Sequence, residues 1–243
     1  MSPVPVNNIL FLDIETVSQF PAFSSLPEEW RKLWEIKATS LLKHHEGYNT
    51  ETIYERAGIY AEFGKIICIS CGVITGVGKE KKLLIKSFYG DNETLLLQQF
   101  VDMLNRWCAG EEKFLCAHNG KEFDFPYISR RMVINGLEIP SILRTAGKKP
   151  WEVTHLDTME LWKFGDFKNF TSLVLLTQAL GIPSPKDDID GSMVGEIYWG
   201  ADREAGIKRI TEYCQKDVVA AAQVYLRIHG ETLIDRANIE IKP

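Results

Sequence analysis

Apolar and polar positions follow two rhythms along this chain, one of about two residues and one of about 3.6. In "ILFLDIETVS", Ile9 to Leu12 are all apolar and run directly into Asp13 and Glu15, which flank one isoleucine. A short apolar run of this kind reads as a buried strand, about Ile9 to Glu15. "KIICISCGVI" and "KKLLIKSFYG" read as two further strands, joined by the turn-rich "TGVGKE" into an antiparallel hairpin. "DNETLLLQQFVDMLNRWCAG" has an acidic start, a helical apolar period and a glycine stop. "KFLCAHNG" predicts a fourth strand, "FDFPYISRRMVINGL" a helix with Pro126 near its first turn, and "VTHLDTMEL" a fifth strand. From Phe170 to Gly230 the pattern is largely helical, interrupted by "GIPSPKDDIDGSM". Three meandering strands followed by strand–helix alternation give an α/β fold, a mixed five-stranded sheet flanked by helices.

One stretch departs from that order. Between about 17 and 63, Ser25, Pro27 and Glu28 open a helix whose expected apolar face is Leu26, Trp30, Leu33, Lys37 and Leu41. The reading is a single domain over 1–243 that carries a helical insertion at about 17–63. Trp30 and Trp34 are taken as packing residues of that insertion.

Composition narrows the class. The chain has 243 residues, 45% hydrophobic and 25% charged, which is ample for a core. No apolar run approaches the roughly 18 residues needed to cross a bilayer. "MSPVPVNN" shows neither the basic region nor the cleavage pattern of a secretory signal, so a cytoplasmic location is expected. A net charge of −5 argues against a protein that coats nucleic acid through a basic surface, but not against an enzyme acting on its ends. The five cysteines are read as reduced. Cys68 and Cys71 form a C-x-x-C within a strand, where residues three apart face opposite sides, and no second C-x-x-C completes a zinc site. They are expected to be buried structural residues.

Three constellations carry candidate chemistry. Asp13 and Glu15, two apart on a strand, share one face with Cα atoms roughly 7 Å apart, and such a pair repels itself without a cation. Asn119 and Gly120 end the fourth strand, and Asp124 follows just before a proline-initiated helix, where it could also serve as a cap. On the late helix, Ile207, Ile210, Cys214, Val218, Ala221 and Tyr225 make the buried stripe. Tyr213 and Asp217, four apart, lie together beside it. Asp157 of "THLDTM" fits a cap or the edge of the site, and His118 is read as structural.

Together, "FLDIET", "EFGKIICIS", "HNGKEFDFPYI", "HLDTMEL", "LGIPSPKDDIDGSMV" and "YCQKDVVAAAQVY" resemble the DEDD superfamily of 3′→5′ exonucleases. The subclass is the one with tyrosine in its last motif, and the likeness is nearest to the exonuclease domain of family B DNA polymerases and stand-alone bacterial proteins related to it. The resemblance runs from about Ile9 to Ile228 and implies a ribonuclease H-like fold. It implies two divalent ions, Mg²⁺ or Mn²⁺, held by Asp13, Glu15, Asp124 and Asp217. In that scheme Asp13 bridges both ions, Glu15 and Asp217 complete the first, and Asp124 holds the second directly or through water. Tyr213 would orient the attacking water. Ile14, Thr16, Asn119 and Phe123 would cradle the terminal nucleotide, and Lys186 would approach a phosphate. The implied partner is the 3′ end of single-stranded nucleic acid, with DNA favoured over RNA, and no membrane. A ribonuclease with the same site, or a silent binding module of the same fold, are the alternatives.

Overall fold

The computed structural model describes residues 4–110, 112–166, 170–183 and 189–243. Lys186 falls outside them. Strand β1 (Ile9–Ser18) leads to helix α1 (Glu28–Leu41), then to the hairpin β2 (Gly64–Thr75) and β3 (Lys82–Tyr89). Helix α2 (Glu93–Trp107), strand β4 (Phe114–Ala117), helix α3 (Asp124–Ile134) and strand β5 (Leu156–Asp157) follow. Helices α4 (Thr158–Lys163), α5 (Leu173–Ala179), α6 (Val194–Trp199) and α7 (Arg203–Ile228) precede a last strand, β6 (Ile239–Lys242).

The sheet has six strands in the order β5-β4-β1-β2-β3-β6. β1–β2 and β2–β3 pair antiparallel, while β4 beside β1, β5 beside β4 and β6 beside β3 are parallel. Two expectations are corrected here. The sheet gains β6, because the alternating "IEIK" near the C-terminus pairs with the free edge of β3. "VTHLDTMEL" contributes only Leu156 and Asp157 to the sheet, because Asp157 caps α4 and turns the chain into a helix.

β1 is buried on both faces, which is why its pattern is continuous rather than alternating. Leu10, Leu12 and Ile14 enter one apolar cluster with Phe100 of α2 and Ile128 of α3. Ile9 and Phe11 enter another with Val218, Ala222 and Tyr225 of α7. Asp13 and Glu15 continue this second face towards the C-terminal end of the strand. Beyond them α6 covers β1: Val17 is buried with Ile67, Tyr198 and Ile210, and Trp199 Nε1 donates to Ser18 Oγ at 3.2 Å.

The residues between β1 and β2 form their own apolar cluster around Trp34, which packs edge-on against Tyr54 and Phe63 at 5.1 Å each. The buried side of α1 is Trp34 and Ala38, whereas Leu33, expected inside, is exposed. The cluster's centre lies in the segment after α1, so Ile53, Tyr54 and Ala57 decide which side of the helix turns inward. This unit is pinned to β1 at Gly58, where an added Cβ would sit 3.0 Å from the Val17 backbone, and Tyr127 OH donates to the Gly58 carbonyl at 2.6 Å. A buried ion pair ties it to the helices. Arg131 Nε donates to Glu93 Oε1 at 2.8 Å and its NH1 to the Ala61 carbonyl at 2.7 Å, while Glu93 also accepts from Ile66 N–H at 2.7 Å. Cys68 and Cys71 are both buried, with Cys71 in the α2–α3 cluster and Cys68 on the opposite side, as the spacing predicts.

Candidate active site

Strand pleating puts Asp13 and Glu15 on the α7 side of the sheet, and the pairing is irregular right beside them. Asp13 faces Ser70 and Glu15 faces Cys68, but Thr16 faces Ile66, so Ile67 is an extra residue. Such a bulge bends the strand and re-aims neighbouring side chains. Tyr213 and Asp217 reach the same place from α7, whose Cys214 packs against the strand and donates to the Asp13 carbonyl at 3.4 Å. One ligand atom each from Asp13, Glu15 and Cys214 fall within 4.8 Å of one another.

Asp124 arrives from a tight turn. Asn119 takes the left-handed conformation at φ 64°, which asparagine tolerates better than most residues, and its carbonyl accepts from Phe123 N–H at 3.1 Å. Gly120 has no room for a side chain, since a Cβ would lie 2.4 Å from that of Ala117. α3 then begins at Asp124, whose Oδ1 accepts from Ile14 N–H at 3.2 Å and which is only 4% exposed. The carboxylate is thus turned back onto β1 rather than capping its own helix through the side chain. Ile14 N–H, expected to face a nucleotide, is occupied by Asp124. Phe123 is half-buried, its ring 5.3 Å from that of Tyr127, and Thr16 follows the bulge.

The electrostatics follow from this crowding. Burial raises Asp13 well above the usual carboxylate range, and the charges of Glu15, Asp124 and Asp217 raise it further, against a hydrogen bond from Cys214. Burial likewise raises Glu15, with Asp217, Cys68 and Asp124 adding to it. Asp124 is pushed up to about 7, chiefly by burial and then by Asp157 and Asp217, although its own N–H and that of Ile14 oppose the shift. Burial also raises the Tyr213 phenol, followed by the charges of Asp217, Glu15 and Asp13 and a hydrogen bond to Asp217. The charges that shift Asp13 and Glu15 most are all negative. Asp13 Oδ2 is buried without a hydrogen-bond partner. A hard divalent cation suits both facts, because it takes carboxylate oxygens and offsets their repulsion. The Cys214 thiol, raised by burial and engaged with the Asp13 carbonyl, leaves oxygen as the available donor type.

Asp157 has a larger part than capping. It is 3% exposed and accepts from Met159 N–H at 2.9 Å within α4, and also from Asn119 N–H at 2.9 Å and Lys121 N–H at 3.1 Å. One carboxylate therefore caps a helix and fixes the turn that delivers Asp124. "D-T-M-E" gives the capping signal in the sequence, whereas its grip on a turn 36 to 38 residues away is visible only in three dimensions. His118 is structural, as expected: Nε2 donates to the Thr171 carbonyl at 2.9 Å and Nδ1 meets the Thr158 hydroxyl at 2.9 Å.

A ribonuclease H-like sheet with four carboxylates and a tyrosine converging midway along its first strand is an arrangement suited to a nuclease. The match to known families agrees: residues 59–238 fit the model of a predicted 3′–5′ exonuclease family related to the exonuclease domain of PolB, and the chain belongs to that family. The matched span includes Asn119, Asp124, Tyr213 and Asp217 and begins after Asp13 and Glu15. No curated protein matches the chain. Among the described residues, no helix is long and apolar enough to cross a membrane.

Proposed function

We propose that this protein is a divalent-metal-dependent exonuclease that removes nucleotides from the 3′ end of single-stranded DNA. The observation that carries the reading is the convergence of Asp13, Glu15, Asp124 and Asp217 on one partly buried spot, with the Tyr213 hydroxyl on Asp217, in a chain of this family. Those four carboxylates would hold two ions, Mg²⁺ or Mn²⁺. Bound there, the ions would supply the positive charge that acidifies a water and steadies the leaving oxygen of an in-line displacement. The overall reaction joins a water oxygen to the terminal phosphorus and breaks its bond to the upstream O3′, which leaves as a hydroxyl. A 5′-mononucleotide is released.

Tyr213 has a defined part in this reading. Its raised pKa keeps the hydroxyl protonated at neutral pH, so it orients a water by hydrogen bonding and does not act as a base. The half-exposed Asn119 and Phe123, with the backbone at Thr16, would hold the terminal nucleotide, and Lys186 a phosphate. The preference for DNA follows the relation to PolB, and the proposed setting is cytoplasmic. The test is incubation of 5′-labelled single-stranded DNA and RNA with Mg²⁺, Mn²⁺ or chelator, beside Asp13→Asn. A metal-dependent ladder shortening from the 3′ end, absent in the variant, supports the reading and reports the preferred sugar. Binding without shortening would replace it with a silent binding module.

A further inference from the structure

The two ends of the site differ. Past Glu15 the floor is closed: α6 lies over Val17 and Ser18, and Trp199 is bonded to Ser18. Towards the β4–α3 turn, Asn119, Lys121 and Phe123 keep partial exposure, so a strand reaching the carboxylates has its way in on that side. Beyond the turn lies a lip made by α4 and α5, which pack under α7 through Trp162, Leu176 and Val224.

This lip carries large aromatic side chains that stay exposed in the fold. Phe170 is 68% exposed, with Lys163 Nζ 4.7 Å from its ring centre. Phe164 is 78% exposed and holds φ at 43°, a left-handed conformation that an aromatic residue adopts only at a cost. The lip is joined rigidly to the turn. His118, next to Asn119, donates to the carbonyl of Thr171, next to Phe170, and Lys121 Nζ donates to Glu160 Oε2 at 2.7 Å, one turn before Lys163. Following covalent geometry through His118, Phe170 lies no more than about 17 Å from Asn119.

We propose that this lip is where the single strand enters, its upstream bases stacking on Phe170 and its phosphates drawn to Lys163. The inference rests on the exonuclease reading for its substrate. Aromatic faces bind any base, and lysines beside them follow the backbone, which is how proteins hold single strands without regard to sequence. In a chain of net charge −5, Lys163 beside Phe170 gives an approaching polyanion a local attraction that the surface as a whole does not. With the far end shut by α6, a strand lying over the lip presents only its terminus to the carboxylates.

The test is equilibrium binding of fluorescein-labelled (dT)20 and (dT)3 in chelator, where no turnover occurs. Phe170→Ala should weaken (dT)20 binding about tenfold. Lys163→Ala should weaken it less and lower the salt dependence by about one unit of slope. Neither should change binding of the trimer. Trp151 with Lys149 Nζ 5.3 Å from its ring is a matched exposed pair in the segment before β5, and Trp151→Ala should leave both affinities unchanged. Unaltered (dT)20 binding in both lip variants, or an equal loss in Trp151→Ala, would overturn the lip. The 3′ ladder is scored separately. Metal-dependent shortening with unaltered lip variants removes the path and keeps the enzyme, whereas a tenfold binding loss with no shortening keeps the path and removes the enzyme.

Discussion

Asp124 shows how far a fold can move one carboxyl group, and with what consequence. Its unfolded value is near 4 and its folded value about 7, so the metal-free native state binds a proton that the unfolded chain releases. The associated stability is fully present below pH about 4 and is lost as pH rises through 7. Thermal melts of chelated protein should therefore fall from pH 4 to 7 by an amount that shrinks in Asp124→Asn. Added Mg²⁺ should raise Tm more at pH 8 than at pH 6, since the ion takes the ionised form. Tyr213→Phe addresses the other side of the site. It should lower kcat about a hundredfold with little change in KM, as expected for a group that orients a reactant and contributes little to binding. Steady-state kinetics on a short oligonucleotide would check it, and an unchanged kcat would remove Tyr213 from the chemistry.

Among the elements, the turn between β4 and α3 has the most to lose. Asp157→Ala would strip acceptors from N–H groups in both this turn and the first turn of α4. The expected loss is about 2–3 kcal/mol of stability by urea unfolding. Turnover should fall more than affinity, because the element delivering Asp124 loosens. Arg131 belongs to the same scale: it joins α3 to α2 and to the carbonyl of Ala61. Arg131→Met would leave Glu93 charged and buried without its cation, at a cost of about 3–5 kcal/mol. Urea unfolding of the variant measures that directly.

At the scale of the whole molecule, what could be read from the chain was whatever depends on near neighbours. The hairpin, α2, α3 and the stripe on α7 follow from periodicity, and Asp13 with Glu15 from the pleat of one strand. The features that needed pairing over long separations were not legible. "IEIK" carries the alternation of a strand but finds β3 more than 150 residues earlier, as the Lys82–Glu240 ion pair spanning 158 residues illustrates. "VTHLDTMEL" has strand composition, yet the cap at Asp157 ends the strand after two residues. The inward side of α1 depended on residues after it, and the hold of Asp157 on Asn119 leaves no trace in spacing.

The bulge opposite Glu15 and Thr16 has a consequence in parity. Because Ile67 is supernumerary, Ile67 and Cys68 both turn towards α6 and α7, while Ile66 and Ile69 turn towards α2 and α3. The extra residue is absorbed in place, so Ile66 keeps Thr16 as its partner and Cys68 keeps Glu15. Residues added in the loops after α1 lengthen a surface excursion and leave the sheet in phase. One residue removed at Ile67 would restore plain alternation, with Ile66 and Cys68 still on their own sides, but would take the isoleucine from beneath α6 and with it part of the packing that closes that end of the site.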